Sequence, residues 1–408
     1  MKTYLVGGAV RDRLLNYPIK ERDWVVVGGT PQQLIDKGFK QVGKDFPVFL
    51  HPETQEEYAL ARTERKTGKG YTEFACYATP DVTLEDDLKR RDLTINAMAM
   101  TENGDIIDPF DGQKDLNAKL LRHVSPAFVE DPVRILRTAR FAARYAHLGF
   151  HIAPETLQVM QEIVNRGEVQ ALVAERVWQE FSRALQEAAP QVFIDSLRAC
   201  GALAILCPEI NNLFGVPNPP QWHPEIDTGI HTLMVLEQAA RLTTDPKVRF
   251  AALMHDVGKG LTPKEKWPSH PGHEEVGVTL IKNWCQHFRV PRDYEMLAVL
   301  TSRFHGHCHK LFELKASTVL STLEKLDAFR KPDRFQQFLI ACEADSRGRT
   351  GHEQESYPQR EQFDIFFKRA VEVAIEPLIA KGLEGKALGE ALHRERVLAI
   401  KTNMKTRS

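Results

Sequence analysis

The sequence has no apolar run near the roughly 18 residues that a membrane-spanning helix needs, so an integral helical membrane protein is excluded. The opening stretch, Met1-Lys-Thr-Tyr-Leu-Val-Gly-Gly8, is too weakly apolar for a secretory signal, and a cytoplasmic location is expected. Cysteine is scarce. The six residues, at 76, 200, 207, 285, 308 and 342, include no Cys-x-x-Cys pair. Neither a zinc ribbon nor a disulfide scaffold is indicated, and free thiols are expected. An excess of one charge is also missing: 54 basic against 55 acidic residues leave a net charge of −1. That excludes a globally basic nucleic-acid coat but not a local basic groove, because binding follows local potential. No internal repeat and no low-complexity tract is evident. With 42% hydrophobic and 27% charged residues, the 408-residue chain has the composition of an ordinary globular protein. Its length suggests about two to three domains.

The first part of the chain reads as mixed α and β. Thr3–Val6 and Asp23–Val27 are short apolar strands, Gly7-Gly8 is a turn, and Ala9–Leu15 has helical spacing. Residues 47–50 and 57–62 read as a further strand pair, and the glycine-containing basic stretch 63–75 as a mobile loop. From about residue 116 the pattern is helical, with Pro132 marking a helix start after Glu130-Asp131. Four prolines within 217–224 read as a domain linker. Nine of the fifteen histidines fall between His223 and His309. The expected class is α+β: a small mixed-sheet head followed by all-α regions, with segments 1–115, 116–222, 223–330 and 331–408.

Three groups of residues carry chemistry. Glu21 and Asp23 open the second strand at i and i+2, so both side chains project to one face. Two adjacent carboxylates do not readily both ionise without a cation between them. Mg²⁺ accepts such a pair together with substrate phosphates. Gly7-Gly8 lies between a strand and a helix, where backbone N–H groups cradle phosphate and Arg11 adds charge. It is neither a Walker loop nor Gly-x-Gly-x-x-Gly. Residues 119–144 hold six basic and two acidic side chains. At 100° per residue, Arg134, Arg137, Arg140 and Arg144 fall within an arc of about 120°. The stripe is either a solvated basic face or one that meets phosphates and bases. Asp131 is either the cap of the helix that follows Pro132 or a base reader. An aspartate accepts and an arginine donates, so Asp131 with Arg134 suits the amino-plus-ring-nitrogen edge of C and A and repels G and U.

Leu5-Val-Gly-Gly-Ala-Val-Arg-Asp12 followed by Glu21-x-Asp23 resembles the polymerase-beta nucleotidyltransferase superfamily, in its class II tRNA nucleotidyltransferase branch. Arg90-Arg-Asp-Leu-Thr-Ile-Asn-Ala-Met98 and Glu130-Asp-Pro-Val-Arg-Ile-Leu-Arg-Thr-Ala-Arg-Phe141 resemble two further motifs of that family. The resemblance runs nearly end to end. It implies a nucleotidyltransferase head, a helical neck and body binding nucleotide and tRNA, an HD-type helical domain, and a C-terminal helical segment. It implies template-independent addition of C, C and A to tRNA 3′ ends from CTP and ATP. Glu21 and Asp23 would be the catalytic Mg²⁺ ligands, and Gly8, Arg11, Arg91, Asp131, Arg134, Arg137 and Arg140 would bind nucleotide. Glu21 stands where many relatives carry Asp, and Glu57 is the candidate for a third carboxylate.

His255-Asp256-Val-Gly-Lys259, with His231 upstream, resembles the HD phosphohydrolase signature. The resemblance implies a site for Ni²⁺ or another transition metal, built from His231, His255, Asp256 and a closing Asp. Asp327 is taken first for that place and Asp345 second, with His273 and His305 as extra ligands. The implied activities are 2′,3′-cyclic phosphodiesterase, 2′-nucleotidase and phosphatase. Several relatives read His-Asp where this chain has His305-Gly306, with His307 as a possible substitute. No membrane partner is expected, and the assembly is a monomer or homodimer. The alternatives are a poly(A) polymerase of the same class, and an HD hydrolase or RNA-binding protein with an inactive head.

Overall fold

The computed structural model describes residues 1–19, 21–42, 48–66 and 74–405. The chain divides into two compact units, Met1–Leu206 and Cys207–Ser408.

The N-terminal unit opens with β1 (Lys2–Val6), α1 (Gly8–Leu14) and β2 (Asp23–Val27). Next come β3 (Lys40–Val42), β4 (Val48–Leu50) and β5 (Glu57–Leu60). β6 (Thr63–Lys66) and β7 (Phe74–Tyr77) pair antiparallel as a separate ribbon. Much of the stretch expected as a loop is therefore strand, and residues 67–73 lie outside the described residues. After β8 (Ala99–Met100) and β9 (Ile106–Ile107), the main sheet has the order β3-β4-β5-β2-β1-β8-β9.

Period-two alternation fixes its two faces. Along β1, Leu5 packs with Ala9, Val10, Met98 and Met100, while Val6 packs with Val25, Leu88 and Ala97. β2 runs antiparallel to β1, with Val6 opposite Asp23, and parallel to β5, with Asp23 opposite Glu57. Three helices matter for the site: α2 (Leu84–Lys89), α3 (Val133–Tyr145) and α4 (Ala174–Ala184). Pro132 stands immediately before α3, where its missing N–H costs nothing. α3 buries Ile135, Leu136, Ala139, Ala142 and Tyr145.

The C-terminal unit is helical: α5 (Thr228–Leu242), α6 (Pro246–Met254), α7 (His273–His287), α8 (Arg292–His309), α9 (Pro332–Arg347) and α10 (Pro358–Val371). Val235, Ala239, Ala252 and Ala344 form a small-residue core where α5, α6 and α9 meet. The proline-rich stretch expected as a linker is instead part of this unit. Pro217 bridges to Asp227, and Asn218 is fully buried, accepting from Lys259 Nζ at 3.0 Å. Its prolines satisfy a fixed, folded turn.

Candidate active site and metal centre

In the N-terminal unit, a cavity of about 770 Å³ brings together the β1–α1 turn, the starts of β2 and β5, Arg90–Asp92, and the polar faces of α3 and α4. Its lining includes ten arginines and six carboxylates.

Glu21, Asp23 and Glu57 all face this cavity. The parallel register places Glu57 beside Asp23. Burial pushes the Asp23 carboxyl up, Arg91 pulls it down, Glu21 pushes it up again, and the net direction is upward. The like-charged, hard-oxygen donor set fits a divalent cation such as Mg²⁺, which relieves that repulsion.

The β1–α1 turn depends on Gly7 more than on Gly8. Gly7 has φ of +68°, and a Cβ there would come within 2.7 Å of Arg91 Nη1. A Cβ on Gly8 would meet the Arg11 guanidinium at 3.4 Å, an ordinary contact. Arg11 is buried and fixed. Its Nε donates to Asp12 Oδ1 at 2.8 Å, its Nη1 donates to Asn96 Oδ1, and its guanidinium lies over the rings of Phe141 and Tyr145. Asp12 also accepts from Tyr145 Oη at 2.8 Å and from Arg144 Nη2 at 3.3 Å.

Carboxylates hold most of the remaining cavity arginines. Arg91 pairs with the buried Asp87 at 3.2 Å. Arg137 Nε donates to Asp92 Oδ2 at 2.7 Å. Burial works against the Asp92 charge, but Arg137 and Asn96 hold its carboxyl well below the usual carboxylate range. Arg140 Nε donates to Glu180 Oε2 at 2.6 Å, and Glu180 also lies within 3.8 Å of Arg183. Arg134 donates to the carbonyls of Ala127 and Arg90. Asp131 does two jobs: Oδ1 accepts from Val133 N at 3.1 Å, as a cap would, and Oδ2 receives Arg176 at 2.6 Å. Asp12, Asp92, Glu180 and Arg176 were not among the sequence candidates.

The C-terminal unit holds a second constellation. His231, His255 and Asp345 present ligand atoms within 4.8 Å of one another, as do Asp256, His273 and His305. Glu225 joins His223 and His231 in a third such group. Four histidines share one orientation. Nδ1 of His231 faces Gly348 O at 3.0 Å, His255 faces Ala252 O at 2.7 Å, His273 faces His270 O at 2.8 Å, and His305 faces Ser302 O at 3.0 Å. A carbonyl accepts only, so each Nδ1 carries a proton, and each Nε2 is turned toward the cluster, that of His231 to Asp345 Oδ1 at 3.1 Å. His255 Nε2, Asp256 Oδ1 and His273 Nε2 are buried without a hydrogen bond. This donor set of imidazole and carboxylate fits a transition metal. Burial opposes a charge on His255, yet Asp256 and Asp345 raise its pKa to about 9, whereas burial pushes His305 down to about 3.

The turn after His255-Asp256 explains the glycine there. A Cβ on Gly258 would collide with the backbone of His273 and Gly277. That close approach seats the start of α7 against Asp256, with His273 Nε2 3.3 Å from Asp256 Oδ1.

One expectation is corrected. Asp327 lies outside the cluster. It ends the helix Ala316–Lys325 in a left-handed conformation, half-exposed, and pairs with Arg334 at 3.1 Å. Asp345, on the buried side of α9, is the carboxylate that meets His231 (3.1 Å) and His255 (3.6 Å). His307, weighed as a substitute for an Asp at 306, is turned toward another helix. Its Nδ1 is at 2.9 Å from Thr322 Oγ1, outside the three groups.

Known proteins resemble the chain along its whole length. Family models match for the "Poly A polymerase head domain" over residues 3–122, the "Probable RNA and SrmB- binding site of polymerase A" over 149–214, and the "HD domain" over 228–330. The multifunctional CCA protein of Thioalkalivibrio sulfidiphilus is 62% identical over 98% of both chains. That of Vibrio cholerae is 58% identical over 98% of this chain and 99% of its own. A solved CCA-adding enzyme in complex with ATP superposes with a TM-score of 0.67 at 22% identity, covering 98% of this chain and 86% of the other. The Thermotoga maritima CCA-adding enzyme complexed with tRNA gives 0.65 at 20%, covering 100% and 92%. The chain belongs to the multifunctional CCA protein family, with a mixed-sheet head and a helical remainder.

Proposed function

We propose that this chain adds C, C and A to the 3′ end of tRNA from CTP and ATP. The observation that carries this reading is the single cavity in which three carboxylates face an arginine stripe, in a chain 62% identical to a multifunctional CCA protein. Glu21 and Asp23, with Glu57 beside them, would hold Mg²⁺. When bound, the ion makes the terminal 3′-hydroxyl a better nucleophile and offsets charge on the pyrophosphate leaving group. Arg11 and the backbone at Gly7-Gly8 face the triphosphate. Asp87, Asp92 and Glu180 fix Arg91, Arg137 and Arg140 in place before substrate arrives, which removes an ordering cost from binding. Asp131 and Arg134 read the base edge. A site built for such hydrogen bonds rejects a mismatched edge by roughly 10⁴-fold, because its polar groups would be left unpaired.

The test is incubation with tRNA lacking its CCA end and each nucleoside triphosphate in turn, resolved on a sequencing gel. Two C residues followed by one A are expected. Long A tails would favour the poly(A) polymerase alternative, and no addition would favour an inactive head.

The histidine cluster supports a second reading: metal-dependent phosphohydrolysis in the C-terminal unit. His231, His255, Asp256 and Asp345 would hold a transition metal such as Ni²⁺, with His273 and His305 beside them. The metal, when bound, supplies an activated water or polarises a phosphoryl oxygen. Hydrolysis of 2′,3′-cyclic and 2′-phosphate substrates across a Ni²⁺, Co²⁺ and Mn²⁺ series tests it.

A further inference from the structure

A fifth histidine, His309, also turns its Nε2 to the closing carboxylate of the cluster, but it lies outside the three groups and its Nδ1 meets a hydroxyl rather than a carbonyl. His309 Nε2 lies 2.7 Å from Asp345 Oδ2, and its Nδ1 lies 2.8 Å from Tyr357 Oη. At 2.7 Å from a carboxylate oxygen, Nε2 has to carry a proton, since two lone pairs would otherwise face each other. In the neutral ring Nδ1 is then the acceptor, and the Tyr357 hydroxyl donates to it. His231, His255, His273 and His305 differ in the Nδ1 partner, which for them is a backbone carbonyl. The consequence is a division of labour on Asp345. Oδ1 faces His231 and His255, while Oδ2 is occupied by His309.

We propose that Tyr357 and His309 form a positioning relay that holds Asp345 as a one-oxygen metal ligand, and that His309 does not itself bind the metal. Tyr357 stands immediately before α10 and is buried, so the relay ties a helix beyond the cluster to its closing carboxylate. Groups that orient metal ligands in this way typically contribute about 10- to 100-fold in metal affinity. The relay acts by fixing which carboxylate oxygen points inward and by keeping the other from competing for the ion. The proposal rests on the reading of this cluster as a metal site.

The experiment uses the full chain, stripped of metal and titrated with Co²⁺ against a chromophoric chelator. The variants are Tyr357→Phe, His309→Gln, His309→Ala and, as reference, Asp345→Asn. Wild type is expected to bind Co²⁺, and Asp345→Asn to lose most of that binding. His309→Ala should weaken binding about 10- to 100-fold. His309→Gln keeps an N–H donor facing Asp345 and should recover most of the loss, with an unchanged Co²⁺ visible spectrum. Tyr357→Phe removes one oxygen and should weaken binding by a smaller factor than His309→Ala. C and A addition should be unchanged throughout. If wild type binds Co²⁺ and both Tyr357→Phe and His309→Ala bind it equally well, the relay is wrong and the metal site stands. If His309→Gln is as weak as His309→Ala and its spectrum changes, His309 is a ligand and the relay is again wrong. If wild type binds no Co²⁺, Ni²⁺ or Mn²⁺, the metal reading itself falls and takes the relay with it.

Discussion

The two units solve the same problem, holding charge in place, with opposite materials. In the N-terminal unit the fixed groups are arginines, most of them anchored by carboxylates, around an open cavity rimmed by carboxylates on β2 and β5. In the C-terminal unit the fixed groups are imidazoles, four of them with Nδ1 on a backbone carbonyl, around two buried aspartates. Arginine keeps its charge at any accessible pH and suits phosphate. Imidazole gives up a proton and offers a lone pair to a metal. The first arrangement suits a large anion and the second a small cation.

The sharpest way to break this comparison is to remove charge from the carboxylate rim. Asp23→Asn keeps the size of the side chain but not its anionic oxygen. Addition of C and A should fall by about 10³-fold or more, while transition-metal binding by the C-terminal unit persists. Near-normal addition would mean that the rim does not hold the catalytic ion. The reverse experiment is His255→Ala, which removes a buried Nε2 from the second cluster. Metal affinity should drop by about 100-fold or more and hydrolysis should vanish, with C and A addition intact, as read by the sequencing gel. Gly306→Asp is its companion, because a Cβ at 306 meets nothing within 4 Å and the substitution is sterically open. If wild type is inactive and Gly306→Asp hydrolyses cyclic phosphate, the cluster lacks one group; if neither does with any metal, the region is structural.

A smaller effect is expected inside the arginine site. Asp131→Ala removes both a helix cap and the ion pair with Arg176. A pure cap contributes about 1 kcal/mol to stability and leaves nucleotide choice alone. A base reader alters the ratio of C and A to G and U incorporation more than it alters tRNA binding. Incorporation of all four nucleotides by the Asp131→Ala and Arg134→Ala variants separates the two, and unchanged ratios leave Asp131 as a cap.

Much of this was legible before any coordinates. β1, α1 and β2 lie within a residue of the positions that alternation and the Gly7-Gly8 turn predict. Glu21 and Asp23 share a cavity with the four-arginine stripe. What sequence spacing missed has a common cause. Asp12 and Glu180, which were not candidates, and Asp345, which was only the second choice, are carboxylates buried in helices. Glu180 sits on the apolar stripe with Val177, Phe181 and Ala184, and Asp345 continues the stripe of Phe338, Ala341 and Cys342. An acid on a buried stripe is tolerated only where it is paired, so its position signals a partner elsewhere in the fold. Asp327, taken first for the closing carboxylate, stands instead beyond a helix end, half-exposed and paired with Arg334. The prolines of 217–224 misled for a related reason: proline marks a turn without saying whether solvent or protein covers it.

The smallest effect concerns a group outside both sites and tests whether the N-terminal unit's charges are otherwise balanced. His123 lies beside Phe128, bridges to Leu93, and has Nδ1 2.8 Å from Thr156 Oγ1. Burial, followed by the nearby Arg122, lowers its pKa below the ordinary value of 6.5. The folded state therefore prefers the neutral ring. Between the folded pKa and about 6.5 the unfolded chain binds more protons, so stability rises with pH there. It is fully present above about 6.5 and declines as the pH falls below that value. His123→Gln keeps a side chain able to bond Thr156 but does not titrate. The wild-type denaturant midpoint, followed by hydrogen exchange in residues 119–165, should drop relative to His123→Gln between pH 7.5 and pH 5.5. An identical pH dependence in the two proteins would show that His123 stays equally easy to protonate in both states, and that some other group of the unit carries its acid sensitivity.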